Sequence, residues 1–270
     1  MVQAAADAVL SIALKKKLKK SKKLFQHWDF QVESFTWIRV SGVMKADCHD
    51  YKKETMINKL KVIILAAGQG KRLGSEQADC PKVLRLLKEQ ALLDYVLDSL
   101  SFINSDDRYL VVGFQKEKVI SQYQGQTQFC VQDRQLGTGH AVMSCQPVLE
   151  NEDCPVMVVY GDMPLFRQET FLEMTESHLT SQAVCTVMTG IFEKIPDYGR
   201  IIRNENGEIV RVIEVRDCSS EQLKISEVNV GVIICNSKLL FESLSELRND
   251  NAQMEYYLTD LTEILIQKGF

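Results

Sequence analysis

The chain has 270 residues, 45% of them hydrophobic and 25% charged, with a formal net charge of −4. That composition is globular and excludes a disordered or fibrous chain, and the slightly acidic balance gives no reason to expect nucleic acid as a partner. No apolar run is long enough to span a bilayer. The average hides an asymmetry. Residues 1–55 hold 11 Lys+Arg against 6 Asp+Glu, and the rest hold 32−11=21 against 36−6=30, so segments of net +5 and −9 meet just before Met56. Eight cysteines run from Cys48 to Cys235, without a C-x-x-C pair or zinc spacing. Their apolar neighbours suit buried free thiols in a reducing cytosol, so a cytoplasmic location is expected.

Residues 1–55 open with a candidate short helix, Ala4 to Leu14, followed by seven lysines between Lys15 and Lys23. Such a charge block reads as solvated or disordered. Both tryptophans, Trp28 and Trp37, lie in this stretch, and no strand–turn–helix rhythm is visible there. Residues 1–55 are therefore read as a basic extension of unknown role, either disordered or the product of an upstream start with the working chain beginning at Met56. Residues 56–270 form the remaining domain.

From Lys61 the rhythm is regular. Short apolar runs at Lys61 to Leu65, Arg108 to Phe114, Gln128 to Gln132 and Pro155 to Tyr160 read as strands. Helical patterns separate them at Ala91 to Phe102, Lys116 to Tyr123 and Thr138 to Leu149. This alternation predicts an α/β fold, a mainly parallel sheet covered on both faces, with ligands beyond the carboxyl ends of its strands. Gly199 to Arg203, Asn204 to Gly207 and Glu208 to Val215 then read as strand, turn and strand. Glu227 to Cys235 is a further strand, and helices follow near Lys238 to Leu247 and Tyr257 to Lys268.

The strands end in residues that carry chemistry. Leu65-Ala66-Ala67-Gly68-Gln69-Gly70-Lys71-Arg72 lets backbone approach a polyphosphate and aim N–H groups at it. It lacks the third glycine of a dinucleotide fingerprint, Leu73 standing there, and lacks the Lys-Ser/Thr of a P-loop, because Arg72 follows Lys71. Taken alone it also fits a tight turn after a strand. Arg72 and Lys82 are cations suited to the charge of a leaving pyrophosphate. Asp162, within Tyr160-Gly161-Asp162-Met163-Pro164, suits a hard cation such as magnesium, or a helix N-cap. Gln132 opens Gln132 to His140, and its amide suits the edge of a base. A structural role is expected of His140, since an ionised phosphate attacks without losing a proton.

In order, L-A-A-G-x-G-x-R, P-K-V-L, Q-x-x-Q-L-G-T-G-H-A, Y-G-D-x-P-L, Y-G-R-I, E-V-N and N-A-Q-x-E-Y-Y-L-T-D resemble the uridyltransferase domain of bacterial N-acetylglucosamine-1-phosphate uridyltransferase. The resemblance covers about residues 58–270. It implies a Rossmann-like, glycosyltransferase A-like nucleotidyltransferase fold with a mixed, mostly parallel sheet and helices on both faces. It also implies transfer of UMP from UTP to N-acetylglucosamine 1-phosphate, with Mg2+ as cofactor. Carried over, Leu65, Ala66, Ala67 and Gly68 hold the nucleotide, and Arg72 and Lys82 neutralise the triphosphate as the catalytic cations. Gln132, Gly137 and Thr138 read uracil, while Tyr160, Gly161 and Asp162 line the site with Asp162 on the metal. Gly199, Glu214 and Asn229 hold the sugar.

The chain departs from the family pattern at Lys71 (usually Thr), Val230 (usually Thr) and Met254 (usually Gly). The family places a second metal ligand, an asparagine, beyond the position of Phe270, followed in bifunctional members by an acetyltransferase β-helix that drives trimerisation. A C-terminally truncated domain, a monomer and no acetyl transfer are therefore expected. Two alternatives stay open: a nucleotidyltransferase for another sugar phosphate or nucleotide, and a nucleotide-binding fragment without catalysis.

Overall fold

The computed structural model describes residues 59–68 and 80–270 in full and residues 32–40 as backbone. The helix expected at Ala4 to Leu14, the lysine block, and Gln69 to Arg72 lie outside the described residues. In chain order the strands are β1 (Val32–Val40), β2 (Lys61–Leu65), the small hairpin β3 (Leu86–Leu87) and β4 (Gln90–Ala91), β5 (Arg108–Val112), β6 (Gln128–Val131) and β7 (Pro155–Tyr160). They continue as β8 (Cys185–Phe192), β9 (Arg200–Arg203), β10 (Ile209–Ile213) and β11 (Glu227–Asn236). The helices are α1 (Leu92–Ser99), α2 (Lys116–Tyr123), α3 (Thr138–Met143), α4 (Gln146–Leu149), α5 (Gln168–Ser181), α6 (Ser237–Leu244) and α7 (Leu261–Gln267).

The main sheet has the order β1-β8-β11-β7-β2-β5-β6, with the β9–β10 hairpin attached to β11. β6, β5, β2 and β7 are parallel. β11 runs against β7 and β8, and β1 runs against β8, so β8 shares the direction of the parallel group. Alternation within β2 builds the two layers. Ile63 and Leu65 join Val142, Leu149, Leu240 and Leu261 on one face. Val62 and Ile64 join Leu93, Leu100, Tyr123 and Phe171 on the other. A central parallel strand buried on both faces needs such a continuous apolar run, which is why β2 reads Lys-Val-Ile-Ile-Leu.

Three differences from the sequence reading have physical causes. The single helix expected at Thr138 to Leu149 breaks into α3 and α4, with Pro147 at the start of the second, because proline has no N–H for the preceding turn. Helix α5 was not expected. Its buried face is Phe171, Met174, Thr175 and His178, so half of its core stripe is polar. Strand β8 was likewise hidden by Thr186 and Thr189, both buried. These polar groups are satisfied internally: Thr175 Oγ1 donates to Phe171 O at 2.8 Å, His178 Nδ1 lies 2.8 Å from Thr186 Oγ1, and Thr189 Oγ1 donates to Glu227 Oε1 at 2.9 Å. Residues 1–55, where no strand–turn–helix rhythm is visible in the sequence, contain β1.

His178 gives the fold a pH dependence. Burial pushes its imidazole down from 6.5 to about 4. Between those values the unfolded chain binds the proton and the folded chain does not, so stability falls as pH falls through that window and is unaffected above it. Urea unfolding should show this contribution as a loss of about 2 kcal/mol at pH 5 relative to pH 8. It should be missing in His178→Gln, whose amide can still meet Thr186.

Candidate active site

The parallel strands point their carboxyl ends at one edge of the domain, and the phosphate-loop residues leave from it. Ala66 N–H donates to Val111 O at 2.9 Å, and Gly161 N–H donates to Leu65 O at 2.9 Å. These bonds fix the turns after β2 and β7 side by side. Leu65, Ala66 and Ala67 are buried, while Gly68 is exposed. Pro81 starts a 3-10 turn over Lys82–Leu84, with Leu84 N–H bonded to Pro81 O at 3.0 Å. Val83 is buried in the core, which leaves Lys82 facing the β7 turn. Its ammonium sits against the Asp162 carboxylate. Arg72 lies outside the described residues.

Asp162 brings a carboxylate to the turn after β7, where it pairs with Lys82. Among the described residues no group of three His, Cys, Asp or Glu could enclose a metal ion. A single partly exposed carboxylate fits magnesium, which keeps waters and substrate phosphates as most of its ligands. It does not fit a closed, all-protein cage.

The loop from Gln132 to His140 is held from behind. Gln132 N–H donates to Val112 O at 2.8 Å, and Gln132 is 3% exposed. Its Nε2 donates to Gly137 O at 3.1 Å and lies 3.0 Å from His140 Nδ1. Burial, followed by the Arg134 charge, lowers the His140 pKa, which favours the neutral imidazole that can accept this bond. His140 thus supports the Gln132 side chain from within the loop.

A second segment clasps the same loop. Tyr256 N–H donates to Leu136 O and Gly139 N–H donates to Tyr256 O, both at 2.8 Å. Leu258 N–H donates to Thr138 Oγ1 at 3.0 Å. Gly137 adopts φ 110°, and a Cβ there would stand 2.6 Å from Tyr256 O, so only glycine lets the two backbones meet. The Gln132 to His140 and Asn251 to Asp260 blocks thus form one structural unit.

Tyr160 lines one pocket with Asn229, Leu258 and Thr259. Burial, and then the Glu214 and Asp162 carboxylates, push its phenol well above the usual tyrosine range. Gly199, Glu214 and Asn229 lie close together. Asn229 N–H donates to Gly199 O at 2.8 Å, and Gly199 faces Glu214 Oε1. Thr259 Oγ1 donates to Glu214 Oε1 at 3.1 Å. Asn229 Oδ1 accepts from Gly231 N–H at 3.0 Å. Arg200, 3% exposed, fastens the neighbouring turn by donating to Pro196 O at 2.9 Å and to Tyr198 O.

Gly231, Thr259 and Tyr198 were not singled out from sequence. A Cβ on Gly231 would stand 2.4 Å from the Tyr160 ring, so this glycine makes room for it. The available signal was a glycine inside a strand, which marks a bulge or close approach, and the β11–β8 register does shift between Asn229 and Ile233. Tyr198 is pushed up to about 12 by burial and then by the Asp162 charge.

Glycine turns beyond parallel strands, a paired Lys and Asp, and an attached antiparallel half define an NTP-transferase site on an α/β sheet. The chain belongs to the MobA-like NTP transferase domain family, whose model matches residues 62–260. It is 41% identical over 207 residues to the bifunctional protein GlmU of Levilactobacillus brevis, covering 77% of this chain and 44% of that protein. It is also 41% identical over 213 residues to the bifunctional protein GlmU of Limosilactobacillus reuteri, covering 79% and 46%. The chain thus spans a little under half the length of these relatives. In fold it resembles the crystal structure of UDP-glucose pyrophosphorylase complexed with UDP-glucose, with a TM-score of 0.57, 19% identity, and coverage of 77% of this chain and 87% of that one. Among the described residues no helix is long and apolar enough to cross a membrane.

Met254 occupies the position expected to be glycine and adopts φ 54° at 75% exposure. A side chain in the left-handed region costs about 1 kcal/mol and contributes little packing here. Met254→Gly should raise unfolding stability by about that amount without changing substrate affinity, as read by denaturant titration beside Michaelis kinetics.

Proposed function

We propose that this protein transfers UMP from UTP to N-acetylglucosamine 1-phosphate, giving UDP-N-acetylglucosamine and pyrophosphate, in the cytoplasm and as a monomer. The observation that carries the reading is the clasp, which fastens the base-side loop directly to the segment beside the sugar-side wall. The likeness to the bifunctional GlmU proteins over most of the chain supports the same substrates.

In this reading Leu65, Ala66, Ala67 and Gly68 lie along the nucleotide, and Lys82 with Arg72 balances the triphosphate. The internal bonds of Gln132 Nε2 leave its carboxamide oxygen to accept from the N3–H of uracil. Gly137 and Thr138 complete the base edge. Glu214 accepts from sugar hydroxyls, Asn229 pairs with the acetamido group or a hydroxyl, and Gly199 leaves room for the ring. Tyr160 and Gly161 separate the two halves of the site. Magnesium on Asp162, when bound, neutralises phosphate charge and polarises the α-phosphate. The phosphate oxygen of the sugar then attacks the α-phosphorus in line, the α–β bridging bond breaks, and pyrophosphate leaves against Lys82 and Arg72. No protein base is required, because the attacking phosphate is already ionised.

Pyrophosphate release measured over a grid of sugar phosphates and nucleoside triphosphates tests the reading. UTP with N-acetylglucosamine 1-phosphate should give the highest kcat/KM, and a clear preference for another pair would replace it. Asp162→Ala should lower kcat by about 10²-fold or more with magnesium, while far-ultraviolet circular dichroism stays unchanged. An Asp162→Ala enzyme of undiminished rate would remove the metal assignment.

A further inference from the structure

The basic N-terminal stretch is the feature that the proposed chemistry leaves unused, and β1 lies within it. β1 pairs antiparallel with β8, from Val40 opposite Cys185 to Val32 opposite Phe192, with a bulge between Val32 and Ser34. Its backbone approaches helix α5 and helix α7, which pack on opposite faces of the sheet. β1 is therefore embraced by both layers of the domain.

β8 needs a cover. It reads Cys-Thr-Val-Met-Thr-Gly-Ile-Phe, with no charge and no proline over eight residues. As an edge, such a strand would be a template for pairing with other chains. β1 reads Val-Glu-Ser-Phe-Thr-Trp-Ile-Arg-Val. It has strong strand propensity and also carries Glu33, Arg39 and the bulge, the devices that guard an exposed edge. With β1 in place the sheet ends on a guarded strand instead of an unguarded one.

The route of the chain allows this cover to come from the same molecule. β1 runs against β8, and β8 runs with β2, so β1 ends at the side of the sheet where β2 begins, away from the catalytic edge. Four strand spacings separate β1 from β2 in the sheet order, a distance of about 19 Å. The residues numbered 41–60 exceed that reach severalfold when extended.

We propose that Val32–Val40 is an integral edge strand of the transferase domain, seated in cis on β8, and that it keeps this edge from recruiting a second copy of the chain. The working domain then begins before Val32 and not at Met56. Alternate amides of β8 face β1 and β11, so amide hydrogen exchange on the full chain reads the proposal directly. Both sets should be protected, and protection should not change on dilution. Thr36→Pro/Trp37→Pro removes two successive donors, one of which must aim at β8. Exchange at the β1-facing amides should then quicken by at least about tenfold, with the β11-facing set unchanged and dimers or larger species appearing by light scattering. β1-facing amides that exchange like a loop in the unaltered chain would overturn the proposal, whether or not the variant folds. So would a folded variant with unchanged exchange, and protection that weakens on dilution would place the strand on a second copy instead.

Discussion

The clasp between Leu136–Gly139 and Tyr256–Leu258 is the constraint on which the site depends. Three hydrogen bonds cross it, two of them between residues 120 positions apart. Its geometry explains the glycine at Gly137, where any Cβ would collide with Tyr256. It also explains why Thr138 is a hydroxyl residue, since that oxygen accepts from Leu258 N–H. Loops beyond a parallel sheet are ordinarily the mobile part of such a fold. Here the base-side loop is tied to a segment that continues into α7 and the core.

In the proposed function the mixed sheet accounts for a division of labour. The parallel strands β2 and β7 present the turns that carry Leu65 to Gly68 and Gly161 to Asp162, where backbone N–H groups and a carboxylate suit phosphates and a cation. The antiparallel half, with β9, β10 and β11, supplies Gly199, Glu214 and Asn229, whose side chains and openings suit a sugar. Tyr160 stands at the junction, under the influence of Glu214 from one half and Asp162 from the other.

Much of this was legible in the sequence, for identifiable reasons. β2 and β7 are apolar runs that stop at glycine or small residues, so both the strands and the loops beyond them could be read. Helix α5 and strand β8 could not, because Thr175, His178, Thr186 and Thr189 fill buried positions and satisfy their polar groups internally. Hydrophobic periodicity does not see a core made partly of hydrogen-bonded threonine. The convergence of Gly199, Glu214 and Asn229 followed from family resemblance and not from spacing. The clasp was invisible, since two segments far apart in sequence met through backbone atoms. Thr259 was missed for the same reason: its role appears only beside Glu214.

If the clasp makes the base-side loop and the sugar-side wall one body, loosening it should be felt by both substrates. Thr138→Val keeps the shape of the side chain and removes the oxygen that accepts from Leu258 N–H. Initial-rate kinetics with each substrate varied in turn is the most direct test. The account predicts that the KM for UTP and the KM for the sugar phosphate rise together, with the fold intact. A rise confined to UTP, with the sugar-phosphate KM unchanged, would contradict it.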